Sequence, residues 1–300
     1  MSGLFYNPKR LMTVFFRTTG SVAGPEFFLR RGGGGLRSLR MPVTVAILER
    51  PDGLVLIDVG WSRYTCAWPE RDPGYAAKLF LGLDVKPEDA IASQLLSLGY
   101  TPGDVKHIIA THLHVDHVGG AVDFPNATLH CSAAEWDVLA AGRRGYDPRT
   151  RALPRVERHG VYGPAALGFA ASDDLFGDGT VMLLDARGHT RGSTAVAVKL
   201  QEGWCVHTGD AAMFAEDFRM ADDAPPSLYM RAMNWDIAHQ RETFRHIRAA
   251  EQEHGAKVVP SHDQGVYEAL PHTREDAWKG HWVRAKAPQP AKPPKAKKGA

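Results

Sequence analysis

Between His107 and Gly120 the chain reads HIIATHLHVDHVGG, which places His112, His114, Asp116 and His117 within six positions. All four are metal-ligand types, and they directly follow an apolar run, Ile108-Ile109-Ala110, that reads as a short buried strand. Side chains two apart in an extended segment point the same way, so His112 and His114 can share one ion. Asp116 and His117 lie where the chain turns and adjacent side chains diverge, so they can face a second ion. Gly119 and Gly120 let the backbone pass close to a crowded site.

This stretch resembles the HxHxDH signature of the metallo-β-lactamase superfamily, and further segments in the same order extend the likeness from about Val43 to His262. LIDVG carries Asp58, GHT carries His189, TGD carries Asp210 and PSHD carries His262. The resemblance implies a four-layer αββα sandwich of α/β class, with metals at the edge of two sheets. It gives His112, His114 and His189 to one ion and Asp116, His117 and His262 to the other, with Asp210 bridging. Seven ligands exceed what one catalytic ion takes, typically three, and suit two. It further implies two divalent ions, Zn2+ first with Mn2+ or Fe2+ as alternatives, and a metal-bridging hydroxide as nucleophile. Asp116 and Asp210 are thereby placed in the catalytic step. Asp58 accepts a hydrogen bond that orients a ligand; a turn aspartate is the alternative.

Within that superfamily the chain looks most like the N-acyl homoserine lactone lactonases, the quorum-quenching enzymes. They share its length and a turn like Ser261-His262-Asp263. They also carry DAxY, whose tyrosine assists the substrate carbonyl. Here the corresponding residues are Asp210-Ala211-Ala212-Met213. Methionine cannot donate that hydrogen bond. Tyr229 or a tyrosine of a lid could substitute, and Met213 could line an apolar acyl pocket. The reading is therefore a metal-dependent hydrolase of a small-molecule ester or lactone. Another ester or a phosphodiester is the alternative, and an inactive metal-binding sensor or scaffold is a third reading. His114 disfavours the di-iron oxygen-reducing branch, which has glutamate there, and no nuclease-like clamp insertion is present.

The elements that must carry these residues alternate between strand and helix, the mark of α/β proteins. Leu11 to Thr18, Val43 to Leu48, Leu54 to Ile57 and Ala127 to Cys131 read as strands. So do Val181 to Leu184, Ser193 to Leu200, Trp204 to His207 and Lys257 to Val259. Pro51-Asp52-Gly53 marks a hairpin. Pro87 and Glu88 open a helix through Leu98, stopped by Gly99. Ser132-Ala-Ala-Glu135 predicts a helix to Ala141. The apolar spacing predicts the longest helix over 236–254 and a terminal one over 273–284. Residues 60–84 and 142–172 are aromatic-rich, irregular and lid-like; 214–234 are irregular. Gly32 to Gly35 lack a following GK[ST] and read as a loop, not a phosphate cradle.

The net charge of the 300 residues is +2, and removing Lys286, Lys292, Lys295, Lys297 and Lys298 leaves −3 for the rest. The basic character is thus a property of the tail, which argues against nucleic acid as a partner. Residues 1–285 are expected to form one domain and 286–300 a disordered Lys/Pro/Ala tail. No run approaches a membrane span, and LMTVFF is too short for a secretory leader. Cys66, Cys131 and Cys205 are odd in number and form no CxxC, so they read as reduced thiols. The expected location is cytoplasmic, with a homodimer left open.

Overall fold

The computed structural model describes residues 11–31, 35–143 and 145–281. Two sheets form the frame. The first contains seven strands in the order β12-β1-β2-β3-β4-β5-β6. These are β1 (Leu11–Pro25), β2 (Ser38–Arg50), β3 (Gly53–Ile57), β4 (Val105–Ile109), β5 (Thr128–Ser132), β6 (Val156–His159) and β12 (Trp278–His281). The second holds five in the order β11-β10-β9-β8-β7. They are β7 (Ser172–Asp174), β8 (Val181–Asp185), β9 (Thr194–Leu200), β10 (Gly203–Gly209) and β11 (Lys257–Pro260). In the first sheet β3 through β6 run parallel, and in the second β10 and β11 do.

Side-chain alternation creates the layers. Met12, Val14 and Phe16 of β1 join Leu48, Val55 and Ile57 on one face, where they meet Val181, Leu183, Val196 and Val198 of the second sheet. The opposite face presents Phe15, Ile47, Leu56 and Ile108 to Ile91, Ala92 and Leu95 of the helix Ile91–Ser97. On the far side of the second sheet, Leu184, Ala195, Ala197 and Val206 pack under Phe244, Ile247 and Ala250 of the helix Ile237–Gln252. Three apolar contact planes separate four layers, the expected αββα sandwich.

Several local readings change. The helix expected from Pro87 to Leu98 breaks at Ala90, whose ψ of 130° is extended. Asp89 accepts the Lys86 N–H and closes a separate 3-10 turn over Pro87–Asp89. Residues 273–281 are not a helix. Asp276 accepts from the N–H and hydroxyl of Thr273 in a tight turn. Trp278 then lies edge-on to Phe16 at 5.5 Å, and β12 pairs with β1. The 60–84 segment forms short helical pieces, Arg63–Ala67, Glu70–Gly74 and Tyr75–Leu81. The 142–172 segment supplies β6, and 214–234 holds the helices Ala215–Arg219 and Leu228–Met233. The three cysteines are buried and unpaired. Among the described residues no helix is long and apolar enough to cross a membrane. Positions 32–34 of the glycine run and the 286–300 tail lie outside the described residues.

Gly120 shows how tightly the chain folds around the loop that follows β4. Its N–H donates to the Gly60 carbonyl at 2.8 Å. A Cβ there would sit 2.7 Å from the Val59 oxygen and 3.1 Å from that of Trp61. Both obstacles are backbone and cannot rotate away. Gly120→Ala should therefore destabilise the protein by about 1–3 kcal/mol, the cost of an overpacked core, and a thermal melt reads it as a lowered Tm.

Candidate metal centre

The chemistry-bearing side chains collect where strands of both sheets end. β4 runs into Thr111–His117, β8 into His189, β10 into Asp210 and β11 into His262. Backbone bonds hold the ends together: Thr194 N–H to the Thr111 carbonyl at 2.8 Å, and Thr44 N–H to the Ser261 carbonyl at 3.1 Å. His112, His117, His189, Asp210 and His262 are buried, while His114 and Asp116 are half-exposed.

Two ligand groups result. Facing ring nitrogens of His112, His114 and His189 meet with Asp210, and those of His117 and His262 meet with Asp116. Asp210 stands between them. Its Oδ1 is 3.2 Å from His117 Nε2 and 3.1 Å from His262 Nε2. Its Oδ2 is 3.4 Å from His189 Nε2 and 4.0 Å from His112 Nε2. Ser261 Oγ donates to Oδ1 at 2.6 Å and fixes the carboxylate plane.

The donor set fits metal ions. His114 Nδ1 lies 2.9 Å from His112 Nε2 and 3.1 Å from His189 Nε2. One ring nitrogen carries one proton, so neutral histidines cannot satisfy both contacts. Nitrogens about 3.3 Å apart are what a tetrahedral ion with bonds of about 2.0–2.1 Å produces. Burial, reinforced by His189, pushes His114 down to about 3. Burial, with His117 and His114, holds His112 well below the usual imidazole range. Both rings are neutral with lone pairs free. Burial would lower His117 and His262 as well, but Asp210 and Asp116 outweigh it and raise both. That half of the site has a carboxylate excess that a cation would neutralise, and His117 Nε2 is buried 3.2 Å from Asp210 Oδ1 without hydrogen-bond alignment to it.

The outward nitrogens fix each ring. His262 Nδ1 donates to the Pro42 carbonyl at 2.8 Å, and His189 Nδ1 to Asn234 Oδ1 at 3.0 Å. Asn234 Nδ2 in turn donates to Gln240 Oε1 at 3.1 Å, a buried residue of the long helix. His117 Nδ1 donates to Asp58 Oδ2 at 2.8 Å. His112 Nδ1 is 3.2 Å from Thr111 Oγ1, which itself donates to Asp58 Oδ2 at 2.9 Å. Burial opposes ionisation of Asp58, but His117 and His207 offset it and take the carboxyl down to about 2. His207 Nε2, 3.6 Å away, thus touches this support.

Glu135 was read from the sequence only as part of a helix start. Ser132 Oγ does accept the Glu135 N–H at 3.1 Å. The Glu135 carboxylate, however, turns inward and is fully buried. Its Oε2 accepts from Leu113 N–H at 3.0 Å and its Oε1 from Gly192 N–H at 3.1 Å. It ties the loop of His112 and His114 to the loop of His189. The SAAE pattern marked the residue but not this use, and nothing local marked Asn234.

Met213 is buried in an apolar cluster with Trp61, Phe214 and Val43, and half-buried Tyr229 packs against that cluster. The Tyr229 hydroxyl is raised well above its ordinary range by burial first, then by the charges of Asp210 and Asp116. It stays protonated beside the site. A cavity of about 310 Å³ opens next to His114 and His189, bounded also by Arg143, Tyr146, Arg191 and Trp235. Met213 and Tyr229 are not among its walls.

Removing the Glu135 acceptor leaves two buried N–H groups unpaired, at about 1–3 kcal/mol each. Glu135→Ala should lower stability in chemical denaturation, and chelator competition should show metal affinity weakened roughly 10–100-fold, as for lost ligand support elsewhere. Glu135→Gln keeps one acceptor oxygen and should fall between.

The chain is similar to several known proteins. The probable metallo-hydrolase Rv2300c of Mycobacterium tuberculosis is 39% identical over 174 residues, covering 56% of this chain and 56% of its own length. The chain thus matches little more than half the length of that relative. The N-acyl homoserine lactonase AttM of Agrobacterium fabrum is 26% identical over 263 residues, covering 85% of this chain and 94% of its own. Among solved structures, an N-acyl homoserine lactone hydrolase with bound N-hexanoyl-L-homoserine superposes with a TM-score of 0.69 at 19% identity, over 88% of this chain and 98% of that one. The dizinc quorum-quenching lactonase AidC gives 0.62 at 15% identity, over 94% and 99%. These structural matches speak for the fold. The model of the family described as "Metallo-beta-lactamase superfamily" matches residues 39–262, from the second strand to the last clustered histidine, and the chain belongs to that superfamily.

Proposed function

We propose that this chain is a dinuclear metal-dependent hydrolase acting on a carbonyl ester, with a lactone such as an N-acyl homoserine lactone as the substrate class. His112, His114 and His189 would hold one divalent ion and Asp116, His117 and His262 the other, with Asp210 available to both; zinc would suit the nitrogen-rich set. The observation that carries the reading is Asp210, whose two oxygens face the two histidine groups separately. When bound, such ions supply a hydroxide nucleophile at neutral pH and polarise a carbonyl oxygen.

The chain's own residues contribute the rest. Asp58 and Asn234 lock ring orientations through Nδ1. Tyr229, protonated beside Asp210 and Asp116, donates a hydrogen bond to the oxygen on which charge develops. It takes the part that lactonases give to the tyrosine of DAxY, where this chain has Met213. The lactonase relatives, at 26% identity in the case of AttM, support the substrate class. The cytoplasm and a small-molecule partner complete the proposal.

One observation favours a second reading. Arg143 and Arg191 bound the cavity, and neither makes an ion pair among the described residues. Arg191 lies over the Trp235 ring at 5.7 Å. Two guanidinium groups without an ion-pair partner among the described residues suit an ester bearing an acidic group, or a phosphodiester.

Metal analysis of protein purified without chelator should approach two equivalents in the seven-residue centre, and Asp210→Asn should abolish nearly all hydrolysis. A saturating single ion with full activity would exclude the dinuclear mechanism. Tyr229→Phe should lower kcat on lactones roughly a hundredfold, the usual loss of one positioned donor, with KM little changed. Arg143→Ala/Arg191→Ala, assayed on neutral lactones, anionic esters and phosphodiesters, separates the substrate readings: a raised KM confined to the anionic substrates supports the second, and unchanged constants on all three support the neutral lactone.

A further inference from the structure

A second histidine cluster lies on strands that contribute nothing to the centre above. His130 and Glu157 are cross-strand partners of β5 and β6. His159 is two residues beyond Glu157, so strand alternation returns it to the same face. His130 Nδ1 stands 3.0 Å from His159 Nε2 and 3.6 Å from Glu157 Oε2. These three ligand atoms lie close enough together to hold one ion. They share no residue with the seven-residue centre.

We propose that His130, Glu157 and His159 form a separate site for one divalent transition-metal ion of the zinc class, which clips the edge strand β6 to β5. Two nitrogens and one carboxylate oxygen are a borderline-soft donor set of the kind zinc takes, with water completing four-coordination. The exposed Glu157 side chain, 63% accessible, leaves room for that water.

The surroundings complete the pattern of a ligand set. Metal-binding histidines characteristically engage their outer nitrogen in a hydrogen bond, often to a carboxylate. His159 Nδ1 reaches Asp173 Oδ2 at 3.3 Å, on the edge strand β7 of the other sheet. His130 Nε2 reaches His107 Nδ1 at 2.9 Å. Phe176 closes the inner side, edge-on to His107 at 5.1 Å and to His130 at 6.2 Å. A chain of neutral rings hydrogen-bonded in sequence would satisfy His107, His130, His159 and Asp173. Glu157 stands outside that chain: its Oε2 is 3.6 Å from His130 Nδ1, too far for a hydrogen bond but near enough to share an ion with both rings.

The clip also has a place in the molecule. Among the described residues β6 has no strand on its outer side in the seven-stranded sheet, and β7 ends the other sheet. The segment that enters β6 carries Arg143 and Tyr146, which bound the cavity beside His114. An ion here would fasten that segment at its far end.

Equilibrium dialysis of full-length protein against zinc chloride, followed by elemental analysis, tests the site. The Glu157→Gln/His159→Gln variant should bind one equivalent fewer than wild type at saturation. Equal counts would overturn the proposal. The readout is a difference between two proteins, so an error in the two-ion reading would shift both counts and leave the difference intact. Wild-type crystals grown with zinc give a reading that needs no variant. An anomalous peak between His130 Nδ1 and His159 Nε2 is expected; its absence in crystals whose seven-residue centre is fully occupied would overturn the site.

Discussion

The buried carboxylate of Asp58 is the contact on which the geometry of the active loop depends. It sits just past β3 with φ of 55°, in the left-handed region that only a few non-glycine residues, aspartate among them, adopt readily. That conformation turns the carboxylate toward the loop after β4. There it accepts the Thr111 N–H at 2.8 Å, the Thr111 hydroxyl and the His117 ring. Burying a charge is costly unless it is paired and hydrogen-bonded. Asp58 is 1% exposed and meets both conditions only if Thr111, His112 and His117 stand where they do. One carboxylate thus fixes a ring on each side of Asp210.

The sandwich supplies the remaining precision by bringing separate strand ends to one place. His112 leaves a central strand of the first sheet, whereas Asp210 and His262 leave the parallel pair β10 and β11 of the second. Their register is held by backbone bonds between the sheets, such as Thr194 to Thr111, and not by the ligands themselves. Glycines admit the close approach. A Cβ on Gly209, which has φ of 51°, would lie 2.3 Å from Thr111 Oγ1. The residue before Asp210 therefore lets β10 come against the loop that carries His112.

How much of this the sequence disclosed follows from the range of each interaction. His112, His114, Asp116 and His117 were legible because they are contiguous and follow an apolar strand. His189, Asp210 and His262 were legible only as an ordered set, through likeness to known proteins. The α/β class was legible from strand–helix alternation and the four layers only through likeness to known proteins; the core clusters divide β1 by the parity of its residues. The supports were not legible. Glu135 carries a local capping pattern, yet its carboxylate serves Leu113 and Gly192, 22 and 57 residues away. The strand over Trp278–His281 was missed for the same reason. Its conformation is set by pairing with β1, more than 260 positions earlier, and by Trp278 on Phe16.

Met213 and Tyr229 show why likeness in sequence and likeness in space diverge. A motif fixes the position of a residue along the chain, while a transition state responds only to a donor's position in space. Met213 lies three residues past Asp210, but its backbone is committed: its N–H donates to Asp217 and its carbonyl accepts from His262 N–H. Its side chain fills the cluster with Trp61 and Phe214. Tyr229 comes from the helix Leu228–Met233, held by Phe28 edge-on at 6.0 Å, and its hydroxyl feels both Asp210 and Asp116. A hydroxyl delivered from that helix can meet the same electrostatic demand as one delivered from the loop after β10. On the proposed function, the methionine marks a donor relocated to Tyr229, while the loop beside Asp210 serves packing.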